Sequence, residues 1–168
     1  MLDLDINTEK MITETLTIDN KRLELRKLTE NNIEECLNIF EDVYKNQALK
    51  NYPELVEQFK DDNRNNIERI KDELNSETMS GTVIYENDNI IGFILVSEPN
   101  YIRKIGIVPE YQNKGIGTEL INTTNKDNKE LVVHAAEAAI DFYKKNGFVA
   151  DGMMNRDKYP YLPMRKIL

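Results

Sequence analysis

The 168-residue chain contains one cysteine, one histidine and only seven glycines. A single thiol, Cys36, cannot form an intramolecular disulfide, so the fold has to rest on its core. With one Cys and one histidine, His134, neither a zinc cluster nor a multi-histidine metal centre can be assembled, and no metal is expected. The longest apolar runs, around Ile90-Ile91 and from Phe93 to Val96, are far too short to span a bilayer. No basic stretch followed by an apolar run opens the chain, so no secretory signal is read. A cytoplasmic location follows from these absences as an expectation. Heavy use of Asn, Ile and Lys points to an AT-rich bacterial source.

An excess of positive charge is also lacking. The formal net charge is -8, from 22 basic and 30 acidic side chains. Residues 1–100 carry a balance of -11 and residues 101–168 a balance of +3. Nucleic acid is therefore an unexpected partner, whereas the C-terminal third could hold a compact anionic ligand.

Without repeats, low-complexity tracts or linkers, the chain reads as one domain over 21–168 behind a polar lead-in, 1–20. Leu23 and Leu25 alternate in a first strand from Arg22 to Leu28. Ile33, Cys36, Leu37, Phe40 and Val43 recur at helical spacing, and Cys36 on that face reads as core. A second helical pattern runs from Pro53 to Leu74, with Asn51 as its expected cap and a break near residues 61–63. The pattern then switches to strands at 82–85 and 90–96, joined as a hairpin, and at Tyr101 to Val108. Helix, short strand, helix and two last strands complete the order β-α-α-β-β-β-α-β-α-β-β. This is an α/β (mixed α+β) fold, a mixed sheet of six or seven strands with helices on its faces.

Five of the seven glycines follow residue 100, and two open a helix in Val108-Pro109-Glu110-Tyr111-Gln112-Asn113-Lys114-Gly115-Ile116-Gly117-Thr118. Free backbone N–H groups at a helix start, with Lys114 beside them, suit a phosphate. A P-loop is excluded because the lysine precedes the last glycine. A dinucleotide fingerprint is excluded because Leu120 stands where its third glycine belongs.

The run Gln112-Asn113-Lys114-Gly115-Ile116-Gly117 resembles the Gln/Arg-x-x-Gly-x-Gly/Ala signature of the GNAT superfamily of N-acetyltransferases. A second block, Ala139-Ile140-Asp141-Phe142-Tyr143-Lys144-Lys145-Asn146-Gly147-Phe148, resembles that family's Ala-x-x-Phe-Tyr-x-Lys-x-Gly-Phe run. The two blocks cover residues 101–150, and the element order is similar to the family fold over 22–168. The resemblance implies acetyl-CoA as cosubstrate, its pyrophosphate on the backbone of Gln112, Asn113, Lys114, Gly115, Ile116, Gly117 and Thr118. It implies that the pantetheine arm lies along Ile105 to Val108, with a backbone N–H near Ile107 or Val108 polarising the thioester carbonyl. Tyr143 would be the general acid for the leaving thiolate. The residues left open as proton acceptors are Glu98, Glu137 and, less in keeping with its apolar strand, His134. The expected partners are acetyl-CoA and an amine of a small molecule or peptide, with a homodimer allowed and no membrane contact. Because the resemblance places the acidic N-terminal helices beside the acceptor, it implies a cationic amine there.

Departures from the family pattern occur at two positions. Ala136 stands where many members carry a coenzyme-contacting Asn, and Tyr161 stands three residues before Met164, where a subset has His. The alternative in keeping with these departures is a non-catalytic acyl-CoA-binding sensor.

Overall fold

The computed structural model describes residues 12–124 and 127–168. The strands are β1 (Ile12–Ile18), β2 (Lys21–Lys27), β3 (Met79–Glu86), β4 (Asn89–Ser97), β5 (Tyr101–Ile107), β6 (Glu130–Ala136), β7 (Val149–Ala150) and β8 (Tyr161–Ile167). The helices are α1 (Ile33–Asn46), α2 (Val56–Asn65), α3 (Ile67–Asn75), α4 (Ile116–Asn122) and α5 (Ile140–Lys145). One eight-stranded sheet runs in the order β1-β2-β3-β4-β5-β6-β8-β7. Every pairing is antiparallel except β5 with β6.

The sheet exceeds the expected six or seven strands because part of the lead-in joins it. Residues 12–18 pair with β2 across a turn in which Asp19 and Asn20 have φ of 51° and 61°. Consecutive positive φ values suit a tight hairpin, and Asp and Asn tolerate them best after glycine. Residues 1–11 lie outside the described residues.

Strand β4 explains why helices cover both faces. Its residues from Ile90 to Val96 are all buried, as a central strand sandwiched between two layers must be. On one face Ile90, Phe93 and Leu95 pack with Ile33, Cys36 and Leu37 of α1 and Ile70 of α3. On the other face Ile91, Ile94 and Val96 pack with Ile116, Leu120 and Ile121 of α4 and with Tyr143 of α5. Cys36 is core, as its spacing indicates, and burial pushes its thiol pKa upward.

Two helix boundaries differ from the periodicity. The segment after Tyr52 opens with a 3-10 turn at Pro53–Leu55, and its N-cap position is Tyr52 rather than Asn51. The apolar face does not break at 61–63, because Asn63 is buried and its Nδ2 donates to the Leu37 carbonyl at 3.0 Å. A polar residue with a satisfied donor interrupts the hydrophobic pattern without interrupting the helix, and the division between α2 and α3 falls at Asn66.

The parallel pair β5–β6 is the shortest junction between neighbouring central strands. Only Tyr101↔Val132 and Ile102↔Val133 are in register, after which the strands part. Strand β8 pairs with β6 along its whole length, from Glu130↔Ile167 to Ala136↔Tyr161. The far half of β5 therefore presents an open edge.

Phe93 supports that edge from beneath: it is fully buried, and a Cβ on Gly106 of β5 would come within 2.9 Å of its ring. Phe93→Ala is expected to cost about 3–5 kcal/mol, measured by denaturant unfolding. A cost below about 1 kcal/mol would show that the neighbours collapse to fill the site.

Candidate active site

The open edge of β5 has a defined polarity. The Val108 N–H donates to the Ile91 carbonyl at 3.0 Å, continuing the antiparallel ladder with β4. Donors and acceptors in such a ladder alternate between the two edges, so the backbone groups of Ile105 and Ile107 are directed away from β4, into the gap left by β6. Of the two backbone donors implicated near the thioester, Val108 is thus engaged and Ile107 faces the cleft. The Ile107 carbonyl accepts from Gln112 Nε2 at 2.8 Å, and Gln112 Oε1 accepts from Gln47 Nε2, also at 2.8 Å. Gln112 therefore braces the glycine loop against both β5 and the end of α1. Its own N–H donates to Pro109 O at 3.2 Å, which removes it from the set of free backbone donors.

Past Gln112 the backbone turns with φ of 61° at Asn113 and 85° at Gly115. Backbone that alternates into the left-handed region turns its N–H groups inward and makes a concave anion cradle. A Cβ at Gly115 would meet nothing within 4 Å. Its φ requires glycine, and the space beside it is open. Gly117 answers to a different constraint: a Cβ there would come within 2.7 Å of the Phe142 ring. Its role is the close packing of α4 on α5, and no clearance for a ligand is needed to explain it. Ile116 is buried in the core, whereas Thr118 is exposed on the first turn of α4. The first intrahelical bond runs from Glu119 N to Gly115 O at 3.2 Å, leaving the N–H groups of the preceding turn without an intrahelical partner.

Lys114 is tied down. Its ammonium is ion-paired with Asp19 in the β1–β2 turn, and that bond holds the Asp19 carboxyl below the usual carboxylate range. On the same side, Lys21 lies 3.4 Å from both the Tyr111 hydroxyl and Glu86. The first hairpin thus packs against the glycine loop, a contact that needs β1 and was hidden by the weak pattern of residues 12–18.

Two cavities adjoin at β5. One, of about 510 Å³, is lined by Ile105, Ile107, the loop residues Gln112, Asn113, Gly115, Ile116, Gly117 and Thr118, and by parts of α1 and α5. The other, of about 650 Å³, is lined by Tyr101, Lys104, His134, Tyr143, Tyr159 and Tyr161 among others. Phe40, Tyr44, Ile105, Ala136 and Ala139 line both, so the cavities meet across these residues.

Tyr143 faces the larger cavity, with its ring held by Phe142 and Phe148 at centroid distances of 5.1 and 5.3 Å. Burial, with a smaller contribution from Tyr101, raises its pKa above the ordinary phenol value, so the hydroxyl, protonated at neutral pH as any phenol is, gives up its proton less readily. His134 is exposed at the cavity wall although its strand is apolar. It stacks on Tyr161 at 4.1 Å and meets Tyr101 edge-on at 5.2 Å. Partial burial lowers its pKa, which favours the neutral imidazole. Glu98 accepts from the Ser80 hydroxyl and lines neither cavity. Glu137 is exposed, accepts from the Tyr52 hydroxyl at 3.0 Å and also lines neither.

Lys104 was missed by sequence reasoning. It projects from the middle of β5 into the larger cavity, with Nζ 4.4 Å from the Phe40 ring centroid. Desolvation, with Arg103 and Arg69 nearby, lowers its pKa to about 8. The signal available was a pair of basic residues inside an otherwise apolar strand. A bulge made it unreadable by strict alternation: β5 pairs Lys104 with Leu95 and Ile102 with Val96, which leaves Arg103 extra.

These packing and charge relations predict two stability effects. Gly117→Ala should destabilise by about 1–3 kcal/mol through overpacking, and adding Phe142→Leu should recover part of the loss in a double-mutant cycle. Additive losses would place the strain elsewhere. Lys104→Met should raise stability at pH 7 by on the order of 1–2 kcal/mol, discounted for residual solvent screening. The folded chain disfavours the charged amine, so the penalty is full below pH about 8 and fades as pH rises toward the ordinary lysine value. Urea unfolding at pH 7 and pH 10 checks the sign: a gain that does not shrink at pH 10 would assign the effect to packing.

A family model described as an acetyltransferase (GNAT) domain matches residues 40–168. The fold is similar to that of a GCN5-related N-acetyltransferase from Rhodopseudomonas palustris, with TM-score 0.67, 20% identity, and coverage of 93% of this chain and 99% of that one. It is also similar to the PaiA N-acetyltransferase from Thermoplasma acidophilum in complex with coenzyme A, with TM-score 0.70, 21% identity, and coverage of 87% and 99%. A SpeG spermidine N-acetyltransferase chimera from Vibrio cholerae gives TM-score 0.59 at 21% identity, covering 86% and 95%. No curated protein sequence matches the chain. With the family model spanning most of its length and the sheet open at the strand that precedes the glycine loop, the chain belongs to the GNAT acetyltransferase family.

Proposed function

We propose that the protein is an acetyl-CoA-dependent N-acetyltransferase that transfers an acetyl group to a primary amine of a small molecule or peptide by direct attack. The observation that carries this reading is the junction of the two cavities at Ile105, beside an edge of β5 with no strand partner among the described residues. An extended pantetheine arm, which carries amide groups, is the kind of ligand that completes such an edge. The donor set also suits the rest of coenzyme A: the concave backbone from Asn113 to Thr118 suits a pyrophosphate. The PaiA relative, which holds coenzyme A, has a similar fold.

Bound acetyl-CoA would supply an activated acyl carbon in a thioester. The Ile107 N–H, directed into the cleft, would stabilise negative charge developing on the carbonyl oxygen. The amine nitrogen forms the new bond to the acyl carbon while the carbon–sulfur bond breaks; one proton leaves nitrogen and one is needed at sulfur. Tyr143 Oη, protonated at neutral pH as any phenol is and facing the cavity, would donate to the departing thiolate. For the proton leaving nitrogen, His134 is better sited than Glu98 or Glu137, since it lines the acceptor cavity and its neutral form is favoured.

Addition of acetyl-CoA should raise the melting temperature, because a ligand of the folded state alone stabilises it by mass action. With an acceptor whose chemical step limits turnover, Tyr143→Phe should lower kcat roughly 10²-fold and leave acetyl-CoA binding intact, the ring packing being retained. Unchanged kcat in a thiol-release assay would remove Tyr143 from the reaction. The absence of any acetyl-CoA-induced stabilisation would overturn the cofactor assignment itself.

A further inference from the structure

The acceptor side of the cleft has a local charge opposite to that of the N-terminal segment that builds much of it. The larger cavity is lined by Arg69, Arg103, Lys104 and Lys158, against only Asp62 and Asp157. Most of these charges are already answered. Asp62 accepts an ion pair from Lys158 at 2.8 Å and a hydrogen bond from the Tyr159 hydroxyl at 2.6 Å. Arg69 and Arg103 share Glu73, at 3.6 and 3.8 Å. Among the cations Lys104 is the exception: among the described residues no carboxylate, Asp157 on the same wall included, lies within ion-pair distance of its ammonium, whose close neighbour is the face of Phe40. An ammonium removed from water and left without a counter-charge costs stability, and a residue kept at such a cost in a cavity is a mark of a site.

The position of this charge narrows the ligand further. Phe40 lines both cavities, so the Lys104 ammonium stands near their seam, beside Ile105. A group bound there lies close to the nitrogen that must meet the thioester. A compact acceptor, with its anion a few bonds from its amine, would reach from Lys104 to that seam. The bulge at Arg103 is what allows this: Ile102 packs into the core shared with α4 and α5, while Lys104 turns toward Phe40 on α1.

Building on the acetyltransferase reading above, we propose that the acceptor is a small amine carrying a nearby anionic group, a carboxylate or phosphate, and that Lys104 is the residue that binds this anion. The acidic balance of residues 1–100, which by itself suggests a cationic acceptor, resides largely on solvated helix faces and does not describe the cavity. Lys104 is thus a specificity residue for the acceptor and makes no contact required for the cofactor.

The test measures thiol release from acetyl-CoA with matched acceptors: free amino acids and dipeptides against their carboxamides, and phosphoethanolamine against ethanolamine. The expected result is a preference in kcat/KM of tenfold or more for the anionic member of at least one pair, the pair itself identifying carboxylate or phosphate. Lys104→Met should reduce that preference at least tenfold, mainly by raising the acceptor KM, and Lys104→Arg should restore much of it. Neutral acceptors equal to or better than their anionic partners would overturn the proposal. A preference that survives in Lys104→Met would overturn the assignment to Lys104, and turnover of no acceptor in the panel would count against an acceptor of this class. In each case acetyl-CoA-induced stabilisation is read on the same protein preparation. It reports that the variant is folded and, when present, leaves the cofactor reading standing while the acceptor proposal fails.

Discussion

The parting of β5 and β6 after two registered residue pairs is the constraint from which the rest of the site follows. A parallel pair that continued would satisfy the backbone of Ile105 and Ile107 within the sheet and close the cleft. Instead β8 holds β6 along its full length, while β5 remains laddered to β4 as far as Val108. The sheet is thus continuous at one end and open at the other. Unpaired strand edges are ordinarily protected. Here the open edge is flanked by α1, the glycine loop and the start of α5, which makes it a cavity wall instead of a surface for aggregation.

Around that edge, several contacts act on the same few atoms. Gln112 engages Ile107, Gln47 and Pro109, so the glycine loop is fixed to β5 and α1 together. Gly117 brings α4 against Phe142, whose neighbour Tyr143 faces the adjoining cavity. Asp19 holds Lys114 from the first hairpin. A change in any of these alters where the Asn113–Thr118 backbone sits relative to β5, and distances of about 1 Å matter to positioning at an active site. The family's two sequence blocks can therefore be understood as two ends of one packing arrangement, with the Gly117–Phe142 contact joining them.

Much of this was legible in the sequence because it depends on local signals. The glycine turn, the strand before it and the helix ending at Gly147, where φ is 89°, each have a backbone cause that residue type reveals. The less legible features depend on contacts distant in sequence or on departures from strict periodicity. Strand β1 carries only a short apolar stripe, Leu16 and Ile18 against the core, diluted by threonines and Glu14, and its pairing with β2 depends as much on register and the Asp19-Asn20 turn. Asn63 interrupts the α2 pattern only because its partner, the Leu37 carbonyl, is invisible from α2 itself. Gly117 looked like a ligand position because its neighbour in the motif is one by conformation, and only the ring of Phe142 separates the two cases. His134 lies in an apolar strand, where a core residue and a cleft-facing one read alike, and only the parting of β5 and β6 puts it on the cavity wall.

Charge shows most sharply why local geometry has to replace composition. Exposed carboxylates separated from the cavity by more than a Debye length, roughly 8–10 Å in physiological salt, contribute little to the potential inside it. The groups on the cavity wall act at shorter range and lower effective dielectric, so a few of them outweigh many solvated ones. In this chain the described wall holds four cations against two carboxylates, of which Asp62 is matched to Lys158 and Asp157 is not within ion-pair distance of Lys104. The balance of -11 over residues 1–100 and the lone ammonium of Lys104 are therefore not in conflict. The first governs the long-range field around the protein and the second the contacts of a bound molecule. An acceptor whose amine and anion nearly cancel would experience little of the outer field and most of the inner one, which is the discrimination a cavity of this charge can provide.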